Sequence, residues 1–299
     1  MSAEEHLDLE QLHAILDLAR REDLGSAGDV TSALLPQSVQ DAVGRWRLVA
    51  REPGRFCGHE ILPAMLVRLA PQVSLDWPAA SRDGADVAAG SQIATLSGPV
   101  RQMLAAERIL LNFLQRLSGV ATLTARFVAA VAGTQAKIYD TRKTTPGFRM
   151  LEKYAVRCGG GRNHRQGLHD AVLIKDNHLA GIQAERMAHA VFEMLNRMSS
   201  LPGRPSFVEV ECDGLDQLAE LLKVISIDVV LLDNFGLDEL QAAVRMRDAA
   251  GLRGRVELEA SGRVTLENVR RIAETGVERI SVGAITHSAP ILDLGLDAA

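Results

Sequence analysis

Residues 228–261 decide the fold of this chain. Asp-Val-Val-Leu-Leu-Asp at 228–233 is followed by Leu-Asp-Glu-Leu-Gln-Ala-Ala-Val-Arg-Met-Arg-Asp-Ala at 237–249 and by Val-Glu-Leu-Glu-Ala-Ser at 256–261. The first and third segments are short and rich in apolar residues, as buried strands are, whereas the middle segment carries apolar residues at helical spacing. A strand, a helix and a second strand in this order predict a β–α–β unit with parallel strands.

The same alternation extends in both directions from this unit. Strand-like runs occupy 137–141, 171–175, 206–211, 228–233, 256–261 and 279–283. Helical stripes separate most of them, at 184–198, 215–224, 237–249 and 265–275. Repeated β–α units predict one parallel sheet with helices between the strands.

Polar or small residues end each of these predicted strands. They are Arg142 and Lys143, Lys175 and Asp176, Glu211, Asp233 and Asn234, Ser261 and Gly262, and Gly283. In a β/α barrel all strand ends of this kind lie on one face, where active sites are built, whereas a doubly wound sheet binds its ligand at one switch point. No Gly-x-Gly-x-x-Gly follows any of these strands, so the pattern favours a barrel.

The first half of the chain has a different pattern. Apolar spacing predicts helices over 7–20 and 59–70, and strands over 43–58 that Pro53-Gly54 interrupts. Short strands with glycine turns are expected over 73–100. A strongly apolar helix is predicted over 101–117, with a break at Ser118-Gly119 and a second helix that ends near Gly133.

Composition excludes several classes of function. The chain has 299 residues, a formal net charge of -5 and 4% aromatic residues, which argues against a nucleic-acid partner. No apolar run approaches the ~20 residues of a membrane span, and no secretory signal is visible. The cysteines, Cys57, Cys158 and Cys212, are far apart and suggest neither a disulfide framework nor a metal site, so a cytoplasmic location is expected.

Residues 140–178 reverse the sign of the overall charge. Between positions 142 and 175 lie eight cations, against the acids Glu152 and Asp170: Arg142, Lys143, Arg149, Lys153, Arg157, Arg162, Arg165 and Lys175. This local excess predicts a pocket for a multiply anionic ligand, and a solvated basic face is the alternative. The three glycines at 159–161 favour the pocket, because glycine allows backbone to approach a ligand closely.

Other strand ends suggest a metal and a phosphate. Glu211 and Asp233 end consecutive strands and together are a plausible Mg²⁺ anchor, although either acid alone could be a cap or an ion-pair partner. The turns at 261–262 and 281–283, Ser-Gly and Ser-Val-Gly, are where barrels commonly bind phosphate. Lys175 could instead form a Schiff base with a carbonyl substrate, as in a barrel lyase. His164 and His169 are five residues apart in a glycine-rich loop, a spacing that does not favour a histidine metal site.

Several blocks of the sequence closely resemble the quinolinate phosphoribosyltransferase family. They are Glu-Arg-Ile-Leu-Leu-Asn-Phe-Leu-Gln-Arg-Leu-Ser-Gly at 107–119, Asp-Thr-Arg-Lys-Thr-Thr-Pro-Gly at 140–147, Asn-His-Arg at 163–165 and Lys-Asp-Asn-His at 175–178. The match continues with Glu-Val-Glu at 209–211, Leu-Asp-Asn at 232–234, Glu-Ala-Ser-Gly at 259–262 and Ser-Val-Gly-Ala at 281–284. Glu-Asp-Leu-Gly at 22–25 and Gly-Asp-Val-Thr at 28–31 extend it almost to the N-terminus.

The resemblance implies an α/β fold in two domains. These are an N-terminal α/β sandwich, residues 1–112 joined by 287–299, and an incomplete (β/α) barrel of parallel strands, residues 113–286. It also implies a homodimer or larger homo-oligomer, with each site completed by Arg108 of the neighbouring subunit. The implied reaction converts quinolinate and phosphoribosyl pyrophosphate into nicotinate mononucleotide, pyrophosphate and CO₂, in NAD biosynthesis.

The resemblance also implies roles for individual residues. Quinolinate would be bound by Arg108 from the neighbour, Arg142, His164, Arg165 and Lys175. Catalysis would involve Lys143, Glu211 and Asp233, and the two acids would hold Mg²⁺. Phosphoribosyl pyrophosphate would contact Lys143, Ser261, Gly262, Arg263, Ser281, Val282 and Gly283.

One position departs from the family pattern, and other functions stay open. Arg263 stands where the family usually has a second glycine after Ser-Gly. The alternatives are a related phosphoribosyltransferase with another acceptor such as nicotinate, a Schiff-base lyase that uses Lys175, and a non-enzymatic anion- or RNA-binding protein.

Overall fold

The computed structural model describes residues 7–79, 81–200 and 202–299. Its described residues divide into two compact units. The first contains residues through Ala125, Thr144–Gly160 and Ile285–Ala299, and the second contains Arg126–Lys143 and Gly161–Ala284. The domain boundary predicted at 112 and 113 therefore falls within a stretch that the compact division assigns to the first unit.

The secondary structure elements are numbered in chain order. The helices are α1 (Leu9–Leu24), α2 (Gln37–Gln40), α3 (Ile61–Leu69), α4 (Val100–Ala130), α5 (Arg149–Cys158), α6 (Ala184–Leu195), α7 (Leu215–Leu221), α8 (Leu237–Ala249), α9 (Val269–Ala273) and α10 (Ala284–His287). The strands are β1 (Val43–Ala50), β2 (Gly54–Arg55), β3 (Ser74–Asp76), β4 (Asp86–Val87), β5 (Gln92–Pro99), β6 (Lys137–Tyr139), β7 (Val172–Ile174), β8 (Val208–Cys212), β9 (Val229–Asp233), β10 (Glu257–Ser261), β11 (Arg279–Ser281) and β12 (Leu294–Ala298). Short 3₁₀ turns occupy Ser32–Leu34, Asp176–His178 and Asn196–Ser200.

The first unit is built on a four-stranded antiparallel sheet in the order β12-β1-β5-β3. The last strand of the chain pairs with β1, so that Leu48 lies opposite Leu296. The C-terminus therefore returns to the N-terminal unit, as the family resemblance implied. Helices α1 and α3 are joined by a hydrogen bond of 2.7 Å from Arg68 Nε to Asp17 Oδ1.

The second unit is a six-stranded parallel sheet in the order β6-β11-β10-β9-β8-β7. Each predicted strand-like run from 137 onwards overlaps one of these strands, and β8 extends one residue beyond its predicted run, to Cys212. Among the described strands, β6 and β7 do not pair with each other, so the barrel does not close. The predicted fold class, an N-terminal α/β domain with an incomplete barrel of parallel strands, is confirmed.

Side chains alternate between the two faces of these strands. In β8, Val208, Val210 and Cys212 point to one face and Glu209 and Glu211 to the other. All five residues are buried. Both faces are therefore covered, as expected for a parallel sheet, but one of them carries carboxylates.

The predicted break at Ser118-Gly119 is wrong, because α4 runs without interruption through both residues. Glycine costs about 1 kcal/mol in a helix interior, so its presence calls for another reason. A Cβ at Gly119 would overlap the carbonyl oxygen of Pro290. The Ser118 hydroxyl accepts the backbone N–H of Cys57 at 3.0 Å. Small residues here allow close packing and do not end the helix.

No helix in the described parts of the chain is both long enough and apolar enough to cross a membrane.

Candidate active site

The residues predicted for the site come mainly from strand ends of the second unit. Asp233, Ser261 and Ser281 are the last residues of β9, β10 and β11, and Glu211 is the next-to-last residue of β8. Lys175 follows β7 directly. Because the strands are parallel, their carboxyl ends share one edge of the sheet, which is where ligands bind in folds of this type.

Two arginines form the cationic part of this edge. Arg165 is 7% exposed and Arg142 is half-buried. Burial and the positive charge of Arg142 lower the pKa of Arg165, while Glu209 and Asp170 oppose that effect. Because the charge of Arg142 destabilises that of Arg165, an anion bound close to both guanidinium groups is favoured. Lys143 is exposed on the segment that follows β6.

Lys175 and Glu211 are paired, although the sequence predicted separate roles for them. Lys175 Nζ lies 2.8 Å from Glu211 Oε2, with 46% of the lysine side chain exposed and 8% of the glutamate side chain. A lysine that forms a Schiff base must have an amine that is free to reach the carbonyl of the substrate. This contact therefore argues against the Schiff-base lyase.

Carboxylates converge on a cavity of about 240 Å³ at the same strand ends. Its lining includes Glu211 and Asp233, together with Asp176 and Asp213. Asp233 Oδ2 accepts a hydrogen bond of 2.8 Å from the Asn234 side chain. Carboxylate oxygens are the ligands that Mg²⁺ prefers, so the residues at this cavity fit that ion.

The turn after β10 has an unusual backbone that it shares with the turn after β9. Gly262, Arg263 and Asn234 have φ values of 97°, 48° and 57°. Asn234 N–H donates to Ser261 O at 3.0 Å, and a Cβ at Gly262 would overlap the Asn234 side chain. Arg263 thus keeps a left-handed conformation that glycine adopts without strain. Its carbonyl accepts a hydrogen bond of 3.0 Å from the Asn268 side chain.

The turn after β11 completes the edge. Ser281 and Val282 are buried, and Gly283 is half-buried. The Val282 N–H donates to Tyr139 O at 2.9 Å, which ties this turn to β6.

His164 lies behind Arg165 and is 8% exposed. Its Nδ1 accepts the backbone N–H of Arg165 at 2.8 Å, and its Nε2 lies 2.7 Å from Glu209 Oε2. The backbone N–H of His164 donates to Asp140 Oδ1 at 2.8 Å. His169, the other histidine of this loop, is exposed.

The cations of the basic stretch are divided between the two units. Arg149, Lys153 and Arg157 lie in α5, which belongs to the first unit, whereas the other five cations belong to the second. Glu152 pairs with a cation from outside the stretch, since its Oε1 lies 2.6 Å from Arg116 NH2. Arg108 is exposed on α4. The eight cations therefore do not form one pocket within either unit.

Sequence reasoning missed a buried layer of charge in the second unit. Glu209 and Glu259 are fully buried, and Arg279 is 6% exposed. Burial raises the pKa of both carboxyl groups to about 7. The sequence contains a signal for this layer. In 209–211 and 257–261 acidic or hydroxyl residues alternate with apolar ones, and in a strand this alternation places the polar groups on one face.

The edge of the sheet combines arginines suited to carboxylates, acids suited to a divalent cation and tight turns suited to phosphate. These features define a β/α-barrel enzyme that acts on an anionic acceptor and a phosphorylated donor. Two family profiles match the chain: quinolinate phosphoribosyl transferase, N-terminal domain, over residues 29–118, and its C-terminal domain over residues 120–297. The chain belongs to the quinolinate phosphoribosyltransferase family.

Relatives match over nearly the whole chain. A nicotinate-nucleotide pyrophosphorylase [carboxylating] of Mycobacterium leprae is 41% identical over 292 residues, which is 96% of this chain and 98% of the relative. A probable enzyme of the same name from Bacillus subtilis is 38% identical, covering 96% and 93%. The solved nicotinate-nucleotide pyrophosphorylase of Francisella tularensis has a TM-score of 0.86 and 37% identity over 98% of each chain.

Proposed function

We propose that this chain transfers the phosphoribosyl group of phosphoribosyl pyrophosphate to the ring nitrogen of quinolinate, with loss of the 2-carboxylate as CO₂. The products are nicotinate mononucleotide and pyrophosphate. The observation that supports this most strongly is that the charge of Arg142 acts on Arg165, at the edge that also carries an acidic cavity. A dicarboxylate ligand offers two charges to such a site, since guanidinium groups bind carboxylates bidentately.

The acceptor would be held by cations of the second unit. Arg142, Arg165 and Lys175 bind the two carboxylates of quinolinate, with His164 nearby and Arg108 supplied by a neighbouring subunit. Much of the catalysis consists of positioning the ring nitrogen against the sugar C1. The nitrogen becomes cationic once the glycosidic bond forms. It then stabilises the negative charge left at C2 when CO₂ departs, so decarboxylation needs no separate cofactor.

The donor would occupy the turns after β10 and β11 and the acidic cavity. Ser261, Gly262, Arg263, Ser281, Val282 and Gly283 bind phosphoribosyl pyrophosphate, and Lys143 neutralises the pyrophosphate as it leaves. Glu211 and Asp233 would hold Mg²⁺, which supplies positive charge to the leaving group when bound. Because Glu211 is paired with Lys175, it can bind Mg²⁺ only if its carboxylate contacts both partners or if the ion pair with Lys175 breaks.

The assembly and location of the protein are parts of the same proposal. We expect a homodimer or larger homo-oligomer, because Arg108 is exposed on a helix of the first unit and would complete a site in another copy. A cytoplasmic location is expected, since the free cysteines suit a reducing compartment.

The choice of acceptor is tested with quinolinate and nicotinate in parallel. Nicotinate lacks the 2-carboxylate and leaves cations of the pocket without a partner, at about 3–5 kcal/mol for each uncompensated buried charge. Quinolinate should therefore have much the higher kcat/KM and should release one CO₂ per nucleotide. Arg142→Gln should lower that kcat/KM, whereas Arg162→Gln, which removes an exposed cation of the same basic stretch, is the matched control. Equal kcat/KM for the two acceptors would favour a nicotinate enzyme instead.

A further inference from the structure

The polar layer beneath the site follows from strand geometry. Glu209, Glu259 and Arg279 each precede a proposed site residue by two positions on the same strand, and those residues are Glu211, Ser261 and Ser281. Residues i and i+2 share a face of a strand, so the three charged residues lie one level below the site on the same face. Glu259 and Arg279 are also direct partners in the register of β10 and β11.

Arg279 anchors this layer. Its Nε donates to Glu259 Oε2 at 2.7 Å. The guanidinium carbon lies 4.0 Å from the centre of the Tyr139 ring and 5.2 Å from that of Phe207. A planar cation that is stacked and hydrogen-bonded in this way has a defined orientation, so the carboxylate that it binds is held as well.

The carboxylates of the layer face one edge of the His164 ring. Nε2 of His164 lies 2.7 Å from Glu209 Oε2 and 3.6 Å from Glu259 Oε1. The other ring nitrogen, Nδ1, accepts the backbone N–H of Arg165 and therefore carries no proton. Neutral His164 must then carry its proton on Nε2, close to the carboxylates. Within the described parts of the chain, Glu209 Oε2 and Glu259 Oε1 form no hydrogen bond, so the interaction with Nε2 is electrostatic.

This tautomer distinguishes a positioning role from a metal site. His164, Glu209 and Glu259 could be taken for metal ligands, because their ligand atoms lie within 4.8 Å of one another. A histidine that binds a metal through Nε2 normally donates a proton from Nδ1 to a neighbouring acceptor. Here Nδ1 is itself the acceptor, so Nε2 has no lone pair to offer.

We propose that Glu209, Glu259 and Arg279 are positioning residues that fix the tautomer and the ring plane of His164 and thereby orient Arg165. The ring packs edge-on against Phe207, with centroids 5.3 Å apart and planes at 83°. Its Nδ1 binds the backbone of Arg165, the residue whose guanidinium belongs to the quinolinate pocket. If the His164 ring rotated, it would lose that hydrogen bond and the Arg165 backbone would no longer be held. Loss of the layer should therefore weaken binding of the acceptor, quinolinate, more than binding of the donor, phosphoribosyl pyrophosphate.

The kinetic test rests on the proposed function. Glu209→Leu removes the carboxylate nearest to Nε2 and should raise KM for quinolinate about tenfold or more, with KM for phosphoribosyl pyrophosphate changed less than about twofold. Glu209→Gln keeps an oxygen acceptor and should restore most of the quinolinate affinity. Glu193→Leu is the control, because Glu193 is an exposed glutamate of α6 that lies outside the layer. An unchanged quinolinate KM in folded Glu209→Leu, or equal rises in both KM values, would overturn the proposal.

A spectroscopic test does not depend on the reaction. In ¹⁵N-histidine-labelled wild-type protein, with the signals of His164 assigned by their loss in His164→Gln, we expect Nδ1 without a proton and Nε2 with one. Glu209→Leu should convert this single tautomer into a mixture. A wild-type Nδ1–H tautomer would refute the layer's role even if the enzyme turns over quinolinate. Absence of turnover with the expected tautomer would refute the proposed function and leave the geometry in place; if Glu209→Leu does not fold, the wild-type spectrum alone decides.

Discussion

The free energy of unfolding of the wild-type protein should fall as the pH rises, because Glu259 is buried. Replacing Glu259 with glutamine should abolish most of that fall. Burial first, and then the negative charge of Glu209, raise the pKa of Glu259 from 4.5 to about 7, while Arg279 and His164 oppose the rise. The folded protein therefore holds a proton that the unfolded chain has already released. Stability from this proton is complete below the unfolded pKa of 4.5 and is lost as the pH rises through about 7.

The size of the effect follows from the shift. The pKa of Glu259 rises from 4.5 to about 7, and each pKa unit corresponds to about 1.36 kcal/mol. The free energy of unfolding should therefore fall by about 3 kcal/mol when the carboxyl group ionises. Glutamine does not titrate, so this loss should be absent from Glu259→Gln. Glu209 repels the same charge and titrates together with Glu259, so its own contribution to the loss should also decrease in the variant.

Urea unfolding followed by far-ultraviolet circular dichroism, at intervals of pH from about 5 to 8, measures this difference. Between about pH 5 and 8 the free energy of unfolding of the variant should rise by roughly 2–3 kcal/mol relative to that of the wild type. Glu193→Gln, at an exposed glutamate of α6 outside the layer, should follow the wild-type curve. Parallel curves for Glu259→Gln and wild type would refute the reasoning, because they would mean that the buried carboxyl group is ionised throughout.

Three further outcomes follow from the proposed site. Gly262→Ala should raise KM for phosphoribosyl pyrophosphate and destabilise the protein by about 1–3 kcal/mol, because its φ is 97° and a Cβ there overlaps Asn234; wild-type stability in urea would contradict this. Glu211→Ala should shift the Mg²⁺ optimum and slow pyrophosphate release more than it weakens quinolinate binding, and an unchanged Mg²⁺ dependence of activity would exclude it as a ligand. Arg108→Ala and Lys143→Ala should each be nearly inactive, but mixing them under subunit exchange should restore roughly a quarter of wild-type activity in a dimer, since half the molecules are heterodimers with one intact site. No recovery, with exchange confirmed by mass, would place Arg108 in the site of its own chain or outside any site.

The order and type of the elements in the second unit were predictable from the sequence. A parallel strand buried on both faces has a short apolar run, and the amphipathic helix after it has a different period, so each β–α unit can be recognised locally. Each predicted strand-like run after residue 136 overlaps an observed strand, and 228–233 and 256–261 contain theirs completely. The polar ends of these strands could be placed on one edge because parallel direction alone brings them together.

The break at Ser118-Gly119 could not be judged in the same way. Small residues end a helix in isolation, but here they allow close packing against Pro290, which is far away in the sequence. The same limit applies to Lys175 and Glu211, whose ion pair joins neighbouring strands that only the folded sheet brings together. Distant contacts of this kind leave no local pattern to detect.

The sequence by itself determined the class of fold and the edge of the sheet at which the polar strand ends lie, and the ligands expected there remain predictions. It did so because strand period, strand direction and side-chain charge are local properties of the chain. Only the tertiary structure decided how those charges combine: which cations belong to which unit, that Glu211 is paired, and that a fully buried layer of Glu209, Glu259 and Arg279 lies beneath the site. The physical reason is that burial, and with it the strength of a charge interaction and the pKa of a carboxyl group, depends on neighbours that are distant in sequence and close only after folding.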